Sequence, residues 1–349
     1  MRSRMPLYIG ITFFCVAAIL GVTFMFFRLD RAKAEEEESE RLYDRYYVMI
    51  CDDNASSFWQ HVYKGASEAA EESGAYVELF GSNLNIDYAP EELMEMAISA
   101  KVDGIMLMGS SSPAMTRLID KADDNGIPVV TIYTDNAESR RCSFVGASVY
   151  NMGREYGRQI ISAWNEKQRL NAGTDTADAG PARVTVFYDD KDRLYDQSVI
   201  LSGINDTLSR EAGDIEFTVK TLTVDNSNPF SVEESVREAL MDEEVSDILV
   251  CLSELDTTCA YQAVIDYNMV GSVYILGNYD SEKILNAISR SVVYSSLAVN
   301  TTELGQYGVN ALNEYLETGN TSQYFSADVT LIDRNNVARF LQEKEAADE

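Results

Sequence analysis

The chain has 349 residues, of which 46% are apolar and 24% charged, and its formal net charge is −29. That much apolar material packs a core and rules out a disordered chain, and the length suits two lobes better than one small core. A surface this acidic repels phosphate backbones and anionic headgroups, which argues against nucleic-acid binding; solubility outside a cell accounts for the charge.

The first element is an uncharged run from Leu7 to Phe27. At about 21 residues it is long enough to cross a hydrocarbon core of about 30 Å as a helix. Arg2 and Arg4 precede it, and Arg28, Arg31 and Lys33 follow it, so charge alone does not orient the span. Ala32-Lys33-Ala34 has the small-x-small pattern of a cleavage site, but the apolar run is longer than a signal peptide needs and charged residues separate it from that site. The span is therefore read as a retained anchor, with residues 1–6 as its tail. Residues 28–44, including the acidic run at 35–40, form a stalk.

From residue 46 onward, short runs rich in Val, Ile and Tyr alternate with amphipathic stretches. This alternation predicts a parallel sheet covered by helices on both faces. Strands are predicted at 46–51, 76–80, 104–108, 129–132 and 143–146. A helix at 58–73 stops at Gly74, and another opens at Pro113 behind Ser110-Ser111-Ser112. Residues 171–181 are poor in large apolar side chains and read as a surface loop. The alternation then restarts, with strands predicted at 183–188, 216–222, 248–252, 273–276 and 292–297, and a C-terminal extension that includes 327–332. The chain thus holds two similar α/β halves. Each doubly wound sheet would bind ligands at the carboxyl ends of its strands, so the two halves would face each other across a cleft.

The five cysteines, Cys15, Cys51, Cys142, Cys251 and Cys259, show no C-x-x-C spacing and no pairing with histidine. They read as free and mostly buried thiols, with no metal site and no disulfide framework. His61 is the only histidine, and no nucleophile elbow accompanies it. No G-x-G-x-x-G or P-loop pattern occurs, so no cofactor is expected. Nothing here supports an enzyme.

Several segments, taken together, resemble ribose- and galactose-type periplasmic sugar-binding proteins. Ile50-Cys51-Asp52-Asp53-Asn54-Ala55-Ser56-Ser57-Phe58-Trp59 is similar to that family's first strand and loop. Val102-Asp103-Gly104-Ile105-Met106-Leu107-Met108 and Gly126-Ile127-Pro128-Val129-Val130-Thr131-Ile132 follow in family order. So do Phe144-Val145-Gly146, Asn151-Met152-Gly153-Arg154, Ile275-Leu276-Gly277 and Glu303-Leu304-Gly305. The resemblance covers about residues 46–335. It implies a type I periplasmic-binding fold of two Rossmann-like lobes joined by a three-strand hinge. The implied hinge residues are Ala147, Ser148, Asn300 and Ala327. The lobes would comprise 45–147 with 301–327, and 148–300 with 328–343, leaving 344–349 as a tail. It also implies a cell-membrane location, with the single span holding an extracytoplasmic binding domain.

The polar clamp of the sugar-binding members is mostly changed. Tyr133 stands where an aspartate is usual, Ser148-Val149 where Asp-Asn is usual, Ile200 near an arginine's place, Ser253 for an asparagine, Tyr279 for an aspartate unless a one-residue shift brings in Asp280, and Val299 for a glutamine. A sugar site needs rings to stack on the sugar's apolar face and planar polar groups to pair with its hydroxyls; a polar group left unmatched there costs about 1–3 kcal/mol. The candidates at the strand ends are Asp53, Asn54, Phe58 and Trp59, then Tyr133 and Asp135, then Tyr195 and Asp196. Ser253, Glu254, Asp256, Tyr279, Asp280 and Asn300 complete the set. For Phe58 and Trp59 the competing reading is core packing; for the Asp and Asn residues it is helix capping and turn formation. The expected ligand is a monosaccharide, and the expected partner an ABC permease or a sensor histidine kinase. The alternative is a ligandless scaffold or kinase co-receptor with a degenerated pocket.

Overall fold

A computed structural model describes residues 43–84, 86, 88–172, 180–189, 194–225, 228–242 and 244–348. The apolar span, its N-terminal tail and residues 28–42 of the stalk lie outside the described residues. Among those described, no helix is long and apolar enough to cross a membrane.

The first lobe is built on β1 (Arg45–Ile50), β2 (Ala75–Leu79), β3 (Gly104–Met108), β4 (Val129–Ile132) and β5 (Ser143–Ala147). Helices α1 (Ser57–Glu72), α2 (Pro90–Ala100) and α3 (Pro113–Asp124) connect them. The second lobe opens with α4 (Val149–Asn171), followed by β6 (Ala182–Asp189), α5 (Leu194–Glu211), β7 (Phe217–Val224) and α6 (Pro229–Met241). It continues with β8 (Ile248–Val250), α7 (Glu254–Asp266), β9 (Tyr274–Asn278), α8 (Glu282–Ser289) and β10 (Ser295–Val299). The chain then returns through α9 (Thr301–Thr318) and β11 (Tyr324–Ala327) to the first lobe. It ends in the second with β12 (Val329–Asp333) and α10 (Val337–Asp348).

The two sheets share one topology. Their orders are β11-β5-β4-β3-β1-β2 and β12-β10-β9-β8-β6-β7. Every pairing is parallel except the one between β10 and β12. The central strands are apolar on both faces, as a sheet covered by helices requires: Val48, Ile105, Leu107 and Val130 are fully buried, as are Ile248, Leu249 and Ile275. In each lobe one helix pair packs backbone to backbone. A Cβ on Gly65 of α1 would sit 2.4 Å from the Thr302 carbonyl oxygen of α9, and one on Gly153 of α4 would sit 2.2 Å from that of Ile200 in α5. Only glycine allows these approaches.

The chain crosses between lobes three times, at neighbouring points. Ala147 at the end of β5 pairs with Ala327 at the end of β11, and Val299 at the end of β10 pairs with Val329. The Asn300 N–H donates to the Asp328 carbonyl at 2.8 Å, and the Asp328 N–H donates to Glu303 Oε2 at 2.8 Å. The hinge lies along this edge of both sheets, and β2 and β7 form the opposite edges. The C-terminal helix α10 runs through Asp348 and packs on α8, with its apolar side chains Phe340 and Leu341 against the second lobe's core.

Candidate functional site

Loops at the carboxyl ends of both sheets meet between the lobes. The Ser56 backbone is extended and starts α1, so its first turn projects Phe58 and Trp59 toward the cleft. Phe58 is the centre of the contact. Its ring lies 5.1 Å from Trp59 at a right angle, 4.7 Å from Tyr133 and 5.6 Å from Tyr279 of the opposite lobe. Trp59 and Tyr133 meet edge to face at 6.2 Å. These separations are those of favourable aromatic pairs, and the four rings form one cluster that spans the lobes. Tyr133 and Tyr279 both have positive φ, 67° and 79°. A non-glycine residue held there carries strain of about 1–3 kcal/mol, and such positions concentrate at functional sites.

Tyr279 is buried, and burial holds its phenol above the ordinary range. Its hydroxyl lies 3.2 Å from His61 Nδ1, which bonds the Ser57 carbonyl at 2.6 Å. The single histidine therefore ties α1 of the first lobe to the β9 loop of the second. From the other side, Lys344 of α10 sits 5.8 Å from the Tyr279 ring centre and 3.5 Å from Asp280. Below the cluster Tyr156 is fully buried. Its hydroxyl donates to the Gly277 carbonyl at 3.0 Å and accepts from Asn278 Nδ2 at 3.2 Å, fixing the end of β9.

The polar candidates have internal partners. Asp135 takes a two-pronged ion pair from Arg141, through Nε and through Nη2 at 2.6 Å, and also accepts from Thr131 Oγ1 at 2.8 Å. Asp53 accepts from the Ala55 N–H at 2.9 Å in a tight turn, and the neighbouring Asp52 accepts from Trp59 Nε1 at 3.0 Å. Asn54 accepts from Cys51 Sγ at 3.1 Å. Ser253 caps α7, accepting from the Asp256 N–H at 3.0 Å, and Asn300 caps α9, accepting from the Glu303 N–H at 3.2 Å. Glu254 and the buried Asp256 lie in the first turn of α7, where the helix dipole favours negative charge. Tyr195 and Asp196 fall in the first turn of α5, and their side chains lie outside the described residues. Among the described residues no cluster of His, Cys, Asp and Glu is arranged to hold a metal ion.

The structure thus brings Phe58, Trp59, Tyr133 and Tyr279 together, with Asp280 beside them, and gives Asp135, Asp53, Ser253 and Asn300 structural partners. Sequence reasoning missed Arg141, Tyr156 and Lys344. Tyr156 and Lys344 act through partners distant in the chain, while Arg141 acts on Asp135 six residues away, a separation that no regular spacing announces.

A profile of the periplasmic binding protein domain matches residues 47–321. Among solved structures the chain is similar to GanP, a glucose-galactose binding protein from Geobacillus stearothermophilus. The TM-score is 0.69 at 20% identity, covering 84% of this chain and 98% of that one. It is similar to AraP, an arabinose binding protein from the same organism, with TM-score 0.69 at 19% identity and 85% and 99% coverage. It is also similar to XylFII, with TM-score 0.66 at 25% identity and 83% and 98% coverage; XylFII has also been solved in a complex with LytSN. A search of the curated proteins gave no match. The matched region takes in both lobes and every ring of the interlobe cluster, and the chain belongs to the periplasmic binding protein domain family.

Proposed function

We propose that the chain is a membrane-tethered, extracytoplasmic receptor that closes on a sugar between its lobes and reports the closed state to a membrane protein. The observation that carries this reading is Phe58, whose ring touches Tyr133 on one lobe and Tyr279 on the other. A flat ligand face slipped between these rings would contact both lobes at once and so favour the closed form over the open one; that differential affinity is what shifts the population. Support for a sugar comes from the glucose-galactose and arabinose binding proteins of the same fold. Support for a sensor partner, alongside an ABC permease, comes from the XylFII–LytSN complex and from the apolar run at Leu7–Phe27, read as a retained anchor.

A second reading is favoured by a specific observation. The rings already pack on one another, Tyr279 already reaches His61, and Asp135 is engaged by Arg141. A cleft closed by its own side chains fits a ligandless scaffold. Thermal unfolding of the chain in the presence of pentoses, hexoses, disaccharides, polyols and amino acids separates the two. A ligand at a hundred times its Kd stabilises the native state by about 2.7 kcal/mol. A shift with one sugar class supports the receptor; no shift with any compound rejects it in favour of the scaffold.

A further inference from the structure

A cavity of about 480 Å³ opens at the hinge, apart from the aromatic cleft. Its lining includes Ser148, Met152, Arg154, Leu297, Ala327 and Leu331. These residues come from two of the interlobe crossovers and from the strand that leads into the third, so the walls belong to both lobes. The open apolar surface is that of the half-buried Val329 and Leu331, over a buried base of Met152 and Leu297.

The polar wall is uneven. Arg158 lines the cavity but is already held, by Glu155 at 3.1 Å and by Glu211 at 3.3 Å. Arg154, one turn earlier on α4, is half-buried and makes no ion pair with any described residue. In a chain with 57 acidic and 28 basic side chains, a half-buried guanidinium that no carboxylate engages is an exception among the described residues. It presents a planar fork that matches a single carboxylate bidentately. The carboxylates of Glu155 and Asp328 lie on the same wall and disfavour a dianion.

We infer that the hinge cavity is a second ligand site, taking a small monocarboxylate whose short apolar stem lies on Val329 and Leu331 and whose carboxylate pairs with Arg154. The site is coupled to lobe closure by construction. Ala327 pairs with Ala147 and Val329 with Val299, so a change in the hinge angle moves one wall against the other. An occupant that fits one angle better must shift the lobes toward it.

The test is calorimetric titration of the full-length chain with hexanoate and with its neutral isostere hexanamide. Hexanoate binds at least tenfold more tightly than hexanamide, and Arg154→Gln removes the difference. Asn151→Phe, an exposed change on the cavity rim, weakens hexanoate binding at least tenfold with an unchanged circular dichroism spectrum, which covers the case that the arginine variant misfolds. Equal binding of the two probes, no binding of hexanoate, or a preference retained in Arg154→Gln overturns the inference. So does hexanoate binding that is lost with Phe58→Ala instead, because the carboxylate would then lie in the cleft. None of these readouts requires a sugar, so the receptor proposal fails or stands separately.

Discussion

Tyr133 and Tyr279 occupy the same place in the two lobes. Each follows the last residue of an inner strand, each has a left-handed backbone, and each donates its N–H to the next strand at 2.8 Å, to Val145 and Leu297 respectively. The shared hydrogen bond fixes the turn, and the turn throws each ring into the cleft, where Phe58 stands between them. The repeated fold has therefore produced a repeated device, one strained tyrosine per lobe.

That strain has a measurable signature. Alanine is ordinarily preferred to glycine by about 0.5–1 kcal/mol in regular structure, but at positive φ the Cβ clash reverses the order. Tyr133→Gly is expected to be more stable than Tyr133→Ala by about 1 kcal/mol, and Tyr279→Gly more stable than Tyr279→Ala by a similar amount. Urea unfolding of the four variants checks this. The ordinary order, with alanine ahead, would show that neither backbone is held in the left-handed region.

Phe58 and Trp59 adjoin in sequence but do different work. Trp59 is 4% exposed and anchored to Asp52, so it belongs largely to the core, and Trp59→Ala is expected to destabilise the chain by about 3–5 kcal/mol. Phe58 is half-buried and reaches both lobes. Phe58→Ala is expected to cost less stability and to weaken sugar binding about tenfold, a loss of about 1.4 kcal/mol. Paired urea and titration curves decide: equal affinity of Phe58→Ala and the parent would remove Phe58 from the ligand surface.

Much of the fold was legible because its signals are local. Apolar runs alternating with amphipathic stretches located the strands of both lobes, often to within a residue or two. The misses have local causes too. The run 292–297 opens on Val-Val-Tyr, a strand-like signal, yet Val292 and Val293 belong to the turn after α8 and the strand begins at Ser295. The run 327–332 reads as continuous, but Asp328 divides it between the two sheets, since a strand that crosses a hinge keeps its apolar pattern while changing partners. The site was legible only in outline. Topology requires that loops after the strands face the cleft, so candidates could be named. Which carboxylates remain available to a ligand depends on partners far along the chain, as Lys344 is for Asp280, and no spacing rule reveals such a pair.

Asp135, in contrast, is engaged by near neighbours in the chain, and it yields its own prediction. A sugar clamp would make it a ligand contact, but its two oxygens already accept from Arg141, Thr131 and the Asn136 N–H. Removing the arginine leaves a partly buried carboxylate with fewer donors, at a cost of about 1–3 kcal/mol. Arg141→Met is therefore expected to lower the unfolding midpoint and to leave ligand affinity unchanged. A large fall in affinity without a fall in stability would return Asp135 to the binding surface.

The cysteines test the packing from another direction. Among the described residues four are free: Cys51, Cys142, Cys251 and Cys259. Burial is the main cause that pushes each thiol up, Cys51 and Cys142 to about 12 and Cys259 to about 11, with Asp52 adding to the effect at Cys51. Since the thiolate is the reactive form, native protein at pH 8 is expected to label at none of these four positions over minutes with a thiol-specific disulfide reagent, and at all four in denaturant. The same shifts set a pH dependence. The folded chain keeps these protons to higher pH than the unfolded chain, so their contribution is fully present below the ordinary thiol value of about 9 and is lost as pH rises toward 12. Unfolding free energy should therefore fall between pH 9 and 11, and the slope should be shallower in Cys51→Ala than in the parent. An identical slope would mean that water reaches the Cys51 thiol and that the end of β1 is open to the cleft.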